Sequence, residues 1–183
     1  GWKSPGDCPH TGVTYNPRNL AHTPGGSSCG AGAAAAAGYG PLHVGTDAGG
    51  SIRIPAAWSG VVGVKPSFGR VPQWPLGAFG PVAVAGPMAR SVADAALMLS
   101  AMAGFDWRDP FSLSDPPRDF SQGIEASVEG MKVGILRRPG FDAPATPDMW
   151  RAVEQAAEAL RGQGAVVEEV APDLPDTREI FGR

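Results

Sequence analysis

Two short runs hold the residues best suited to chemistry. Gly49-Gly50-Ser51 sets a hydroxyl directly behind two glycines, and Gly25-Gly26-Ser27-Ser28 repeats the arrangement 24 residues earlier. A serine that attacks a carbonyl needs donors for the oxyanion that develops, and glycines let successive N–H groups turn toward one point. In the later run those donors are the N–H groups of Ala48, Gly49, Gly50 and Ser51, each lowering the barrier by roughly 3 kcal/mol where well placed. The same residues also suit a plain tight turn between a strand and a short helix, and spacing alone leaves both readings open.

The elements that must position these serines are legible around them. Residues 24–66 are dominated by small side chains, with Asp47 and Arg53 the only charges before Lys65, so burial of the segment is expected. As the lone opposite pair there, Asp47 and Arg53 are read as neutralising each other and bracing the turn; breaking a buried pair costs on the order of 3–5 kcal/mol. Arg53→Ala is accordingly expected to disturb folding as much as activity. The run Gly30-Ala-Gly-Ala-Ala-Ala-Ala-Ala-Gly38 favours a helix able to press close to other backbone, which sets Ser27 and Ser28 at its N-terminus. One serine there serves as an N-cap; a cap needs only one.

The order of motifs resembles the amidase signature family. Pro-Gly-Gly-Ser-Ser at 24–28 is followed by Gly-Thr-Asp-Ala-Gly-Gly-Ser-Ile-Arg-Ile-Pro-Ala at 45–56 and Gly-Val-Val-Gly-Val-Lys-Pro at 60–66. Gly-Arg-Val-Pro at 69–72 and Gly-Pro-Met-Ala-Arg-Ser-Val-Ala-Asp at 86–94 extend the match, which is tight over 12–104 and looser beyond. The resemblance implies an α/β fold with a mixed β-sheet core covered by helices, and a hydrolase that cleaves carbon–nitrogen amide bonds through a serine acyl-enzyme. Carried over residue by residue, Ser51 is the nucleophile and Ser27 the bridging serine, held by a cis peptide bond. Ser28, Thr46, Asp47 and Arg53 are supporting residues. Glutamine-hydrolysing subunits of amidotransferases that act on charged tRNA belong to the same family and form the runner-up reading.

The family's third catalytic group is a neutral lysine, which takes a proton only if its surroundings lower its pKa. It lies well upstream of the serines, in a segment this sequence does not contain. Lys3 stands 24 residues before Ser27 and does not match the position, Lys65 matches the structural lysine of Gly-Val-Lys-Pro, and Lys132 falls in a downstream strand. Residues 1–183 therefore read as an incomplete segment of one amidase signature domain, and a non-catalytic remnant is the rival hypothesis. Cys29 also departs from the family's usual glycine; packing as a small apolar residue is favoured over a narrowing of the site.

The chain has 183 residues, 43% of them apolar, enough for one domain core. Glycine and proline are abundant, yet 15 of the 26 glycines fall between Gly25 and Gly86, which ties them to the motifs rather than to disorder. Residues 1–90 carry six Lys/Arg against two Asp/Glu, and 91–183 carry nine against sixteen. Neither half has a basic run that would track phosphates, so direct nucleic-acid binding is disfavoured. Two cysteines make no disulfide scaffold, and with no apolar span or leader the reading is cytoplasmic, without membrane association. Cys8, His10, His22 and Cys29 match no common zinc spacing. No metal or cofactor is expected. The expected ligand is a small-molecule amide, and the expected assemblies are a homodimer or a complex with amidotransferase partner subunits.

Residues 1–23 are broken by Pro5, Pro9 and Pro17 and read as irregular. Strands are expected at 42–45 and 61–65, with Pro55 in the first turn of a helix after Ser51. Residues 66–90 read as loop-rich, with Trp74 and Phe79 as core or as cover for a pocket. A helix starts at the capping-box-like Ser91–Asp94, its face formed by Val92, Ala95, Ala96, Leu99, Met102 and Ala103 up to Gly104. The stretch 105–130 is polar and proline-broken. A βαβ portion follows over 131–170: strand Met131–Leu136, a helix Pro147–Arg161 behind Thr146 with Trp150, Val153, Ala157 and Leu160 on its buried face, and a parallel strand Ala165–Val170.

Competing serine and nucleotide chemistries fail on the residues. An α/β-hydrolase needs Gly-x-Ser-x-Gly and a histidine after the serine, but none follows His43. Ser-x-x-Lys is absent, since Val62 and Glu129 stand three before Lys65 and Lys132. Gly30-x-Gly32-x-x-Ala35 fits a dinucleotide fingerprint in letters only, because no strand precedes it.

Overall fold

A computed structural model describes residues 5–77, 79–116, 118–137, 139–141 and 144–176. The chain divides into two compact units, residues 1–124 and 125–183. Lys3 and the polar tail from 177 lie outside the described residues.

The first unit opens with a two-stranded antiparallel ribbon, β1 (Asp7–Cys8) and β2 (Gly12–Val13). Helix α1 (Cys29–Ala37) is the expected alanine helix and closes at Gly38, which takes φ 80° and donates its N–H back to the last turn. Strand β3 (Leu42–Asp47) runs two residues further than expected, and helix α2 (Arg53–Ser59) carries Pro55 in its first turn. Of the strand expected at 61–65, only β4 (Val62–Gly63) pairs.

The main correction lies in the stretch read as loop-rich. Residues Val84–Ala89 form β5, the central strand of an antiparallel sheet of order β3-β5-β4. Gly86 and Pro87 disguised it, because both are unusual inside a central strand. Their places explain them. The Pro87 carbonyl accepts from Val64 N–H, but proline has no N–H to return, and β4 pairing stops beside it. A Cβ on Gly86 would lie 2.1 Å from the Val64 carbonyl oxygen and 2.8 Å from Pro66 Cδ. Gly86→Ala is therefore expected to lower unfolding free energy by about 2–4 kcal/mol in urea titration. Gly77→Ala, with open space around its Cβ, is expected to change it by less than about 0.5 kcal/mol. Equal stabilities of the two variants would refute this account of β5.

Helix α3 (Val92–Met102) starts as the sequence suggests: Ser91 Oγ accepts from Asp94 N–H at 3.1 Å. It packs on the sheet through Ala95 and Leu99, while Val92, placed on the buried face by periodicity, is exposed. The core of the unit is Ile52, Ala56 and Met88 with Ala31 and Val61 against them. Burial of 24–66 is uneven: Pro24, Asp47, Ile52 and Pro55 are enclosed, whereas Tyr39, Val44 and Trp58 are exposed. Trp74 and Phe79 are exposed as well, so neither is core. Beyond α3, the described residues of 105–131 form only turns and bends.

In the second unit, β6 (Lys132–Leu136), helix α4 (Pro147–Gly162) and β7 (Val166–Val170) form the expected crossover, with β6 and β7 parallel. Thr146 Oγ1 accepts from Met149 N–H as the N-cap. Ala157 is the fully buried residue of the helix; Trp150 and Leu160 are half-buried, and Val153 is exposed. Trp150 is covered by the Arg137 guanidinium, 4.8 Å from its ring centre. Antiparallel pairing in one unit and parallel pairing in the other give the mixed α/β architecture that the sequence implies. Among the described residues, no helix is long and apolar enough to cross a membrane.

Candidate active site

The site is built where β3 ends and two helices begin. Asp47, the last residue of β3, has a fully buried side chain. Its Oδ1 accepts from Gly50 N–H at 2.6 Å, and its Oδ2 accepts from Ile52 N–H at 3.1 Å and Arg53 N–H at 3.3 Å. The Arg53 side chain adds two more bonds, Nε to Oδ2 and Nη2 to Oδ1, both 2.9 Å. One carboxylate thus folds 47–53 into a turn and satisfies the first N–H groups of α2, which has no side-chain cap of its own. Burial alone would raise the Asp47 pKa. The Arg53 guanidinium and the three main-chain donors outweigh it and hold the carboxyl well below the usual range.

This geometry corrects one expected role. Gly50 N–H is turned inward to Asp47, so it is not free for an oxyanion. The N–H groups of Ala48, Gly49 and Ser51 have no acceptor among the described residues. Gly50 still matters for shape, with φ 115° and its Cα face against Ile54, whose Cδ1 would lie 2.7 Å from an added Cβ.

The other serine run meets the turn through main chain. Ser28 N–H donates to the Ser51 carbonyl at 3.1 Å, and the Gly26–Ser27 peptide is cis. Ser28 stands at the N-terminus of α1, yet its side chain caps nothing. Instead Ser28 Oγ donates to the Thr46 carbonyl at 3.2 Å and accepts from Thr46 N–H at 3.1 Å. Among the described residues β3 lies at the edge of its sheet, and this pair of bonds satisfies its other side at Thr46. Thr46 therefore contributes backbone to the site, and its side chain is exposed. Ser27 and Ser51 are both half-buried.

Sequence reasoning did not single out Ile54. Its Cγ2 would sit 3.0 Å from a Cβ on Gly25, just as its Cδ1 crowds Gly50, so one aliphatic side chain fills the space that both glycines leave. Two glycine turns, each facing a hydrophobe next to Arg53, were the available hint. Cys29 packs as expected for a small apolar residue: a Cβ on Gly6 would lie 3.0 Å from Cys29 Cβ. Lys65 Nζ donates to the Pro66 carbonyl at 2.8 Å, and Lys132 is exposed on β6 of the second unit. The glycines of the apparent dinucleotide fingerprint, Gly30 and Gly32, lie inside α1, and Gly32 admits Pro55 and Met88 to close contact.

Comparison with known proteins agrees with the motif order. Residues 3–180 match the amidase family profile. A glutamyl-tRNA(Gln) amidotransferase subunit from Pseudomonas putida is 42% identical over 179 residues, covering 97% of this chain and 36% of the relative. A bacterial aryl acylamidase of the amidase signature family superposes with TM-score 0.83 at 41% identity, over 93% of this chain and 35% of that one. The peptide amidase of Stenotrophomonas maltophilia superposes with TM-score 0.80 at 36% identity, over 100% of this chain and 37% of that one. The chain belongs to the amidase signature family. It spans about a third of the length of the curated relatives it matches.

Proposed function

We propose that the protein carrying this chain is an amide hydrolase in which Ser51 attacks the carbonyl carbon and forms an acyl-enzyme. The observation that carries the reading is the Ser28 N–H to Ser51 carbonyl bond, which joins the two serine runs beside a turn held by Asp47. Ser27 is the bridging serine: it takes the proton from Ser51 and passes it to a general base. The oxyanion donors are the N–H groups of Ala48, Gly49 and Ser51. The amine leaves with a proton, and water then releases the acid.

Residues 1–183 are in this reading a segment of a larger amidase domain, and the general-base lysine is supplied by residues outside it. The match over 36% of the curated relative supports that view. The substrate is a small amide. The identity to an amidotransferase component favours, as the second reading, hydrolysis of glutamine with ammonia passed to a partner protein. A cytoplasmic location accompanies either reading.

A serine-directed fluorophosphonate tests the proposal. The protein carrying this chain is expected to gain one adduct, located by peptide mass at Ser51 and absent from Ser51→Ala. Labelling that persists in Ser51→Ala would overturn the nucleophile assignment; absence of any adduct would favour the remnant. Release of ammonia from glutamine, stimulated by a partner protein, would favour the second reading over a stand-alone amidase.

A further inference from the structure

A concavity lies at the C-terminal end of α2. Its volume is about 410 Å³, and it is lined by Asn16, Arg18, Asn19, His22, Thr23 and Trp58. That volume falls in the range of small-molecule sites. Trp58 sits in the last turn of α2, five residues after Arg53, so at 1.5 Å per residue it lies about 7–8 Å along the helix from the end of the serine turn.

The hydrogen bonds of the lining define what it can hold. Every side-chain oxygen acceptor there is already engaged by main chain: Asn16 Oδ1 by Arg18 N–H, Asn19 Oδ1 by Ala21 N–H, and Thr23 Oγ1 by Gly25 N–H. Asn16 is buried, and its Nδ2 donates to the Trp58 carbonyl, so the loop is fixed to α2. Arg18 Nε is anchored on the Ser59 carbonyl at 3.3 Å, while its two terminal nitrogens have no acceptor among the described residues. The lining contains no carboxylate. The strongest group left for a ligand is the Arg18 fork, a pure donor, with the His22 ring able to donate or accept, beside the exposed Trp58.

We infer that this cavity binds a flat carboxylate of the aryl-acid class, its carboxylate on the terminal nitrogens of Arg18 and its ring against Trp58. A guanidinium fork matches a carboxylate in two parallel bonds, and an indole face suits a flat apolar ring. The site is separate from the serine turn and does not depend on the reaction assigned to it.

Benzoate is the probe, titrated calorimetrically into the protein carrying this chain. Saturable one-to-one binding is expected, weakened about tenfold or more by Arg18→Gln, and equally strong in Ser51→Ala. Trp58→Leu, at an exposed position, is expected to weaken benzoate while leaving the melting temperature in place, which keeps the test valid if Arg18→Gln fails to fold. Acetate is expected to bind at least tenfold more weakly than benzoate. Absence of saturable binding, unchanged affinity in Trp58→Leu, or inorganic phosphate binding as well as benzoate would each overturn the assignment.

Discussion

Ser51→Ala is expected to reduce amide hydrolysis by the protein carrying this chain on the order of 10⁴- to 10⁶-fold, as loss of a nucleophile does in serine hydrolases generally. The change is clean in structural terms. The Ser51 group that meets Ser28 is the main-chain carbonyl, and alanine keeps it. The turn is held by Asp47, through Gly50, Ile52 and Arg53 rather than through Ser51. The variant should therefore melt within a few degrees of the parent, and kcat rather than KM should carry the loss. Ser27→Ala is the companion measurement, with a smaller loss of about 10²- to 10⁴-fold if it only relays the proton. A Ser51→Ala protein with more than about a hundredth of the parent rate would remove Ser51 from the reaction.

The second large effect concerns stability. Asp47→Ala is expected to cost about 3–5 kcal/mol, since it strands three main-chain donors and the Arg53 guanidinium together. Arg53→Ala should cost less, about 1–3 kcal/mol, because Arg53 is 55% exposed and Asp47 retains its main-chain donors. The figure for Arg53→Ala falls below the roughly 3–5 kcal/mol expected from sequence for breaking a buried pair, because only Asp47 of the two is buried. The pH dependence has a definite sign. The folded-state pKa of Asp47 lies below its ordinary value of 3.8, so its contribution is complete above that value and is lost as pH falls toward and through the folded pKa. Urea midpoints measured between pH 7 and pH 2 should fall at the acid end, and Asp47→Asn should flatten that limb. A limb of unchanged steepness in Asp47→Asn would assign acid sensitivity elsewhere.

These residues also show what was readable in advance. The serine turn was legible because glycines, a lone carboxylate and a lone guanidinium in an apolar run admit few arrangements. The crossover of the second unit was legible too: Pro147 behind Thr146 marks a helix start, and β-branched runs flank it. β5 was hidden by Gly86 and Pro87, residues selected by close approach of Val64 and by the end of a ladder, both facts of tertiary packing. The role of Gly50 could not be foreseen either. Whether an N–H faces outward to a substrate or inward to a carboxylate depends on a 2.6 Å contact, and a glycine allows both. Val92 and Val153 fell on apolar stripes by period, but each stripe is wider than the surface that covers it.

The central place of β5 also sets a timetable for assembly. Asp47, the organiser of the serine turn, ends a strand whose sheet partner among the described residues is β5, pairing Asp47 with Val84 and Leu42 with Ala89. On an emerging chain, all seven residues of the 47–53 turn are synthesised more than thirty residues before that partner is complete. Until then β3 has no ladder and Met88 is missing from the core around Ile52. Closing this long loop is a non-local step, of the kind that slows folding. A nascent chain stalled before residue 84 thus carries every serine of the site and the whole Asp47 turn, but neither the strand that pairs with β3 nor the Met88 packing against Ile52.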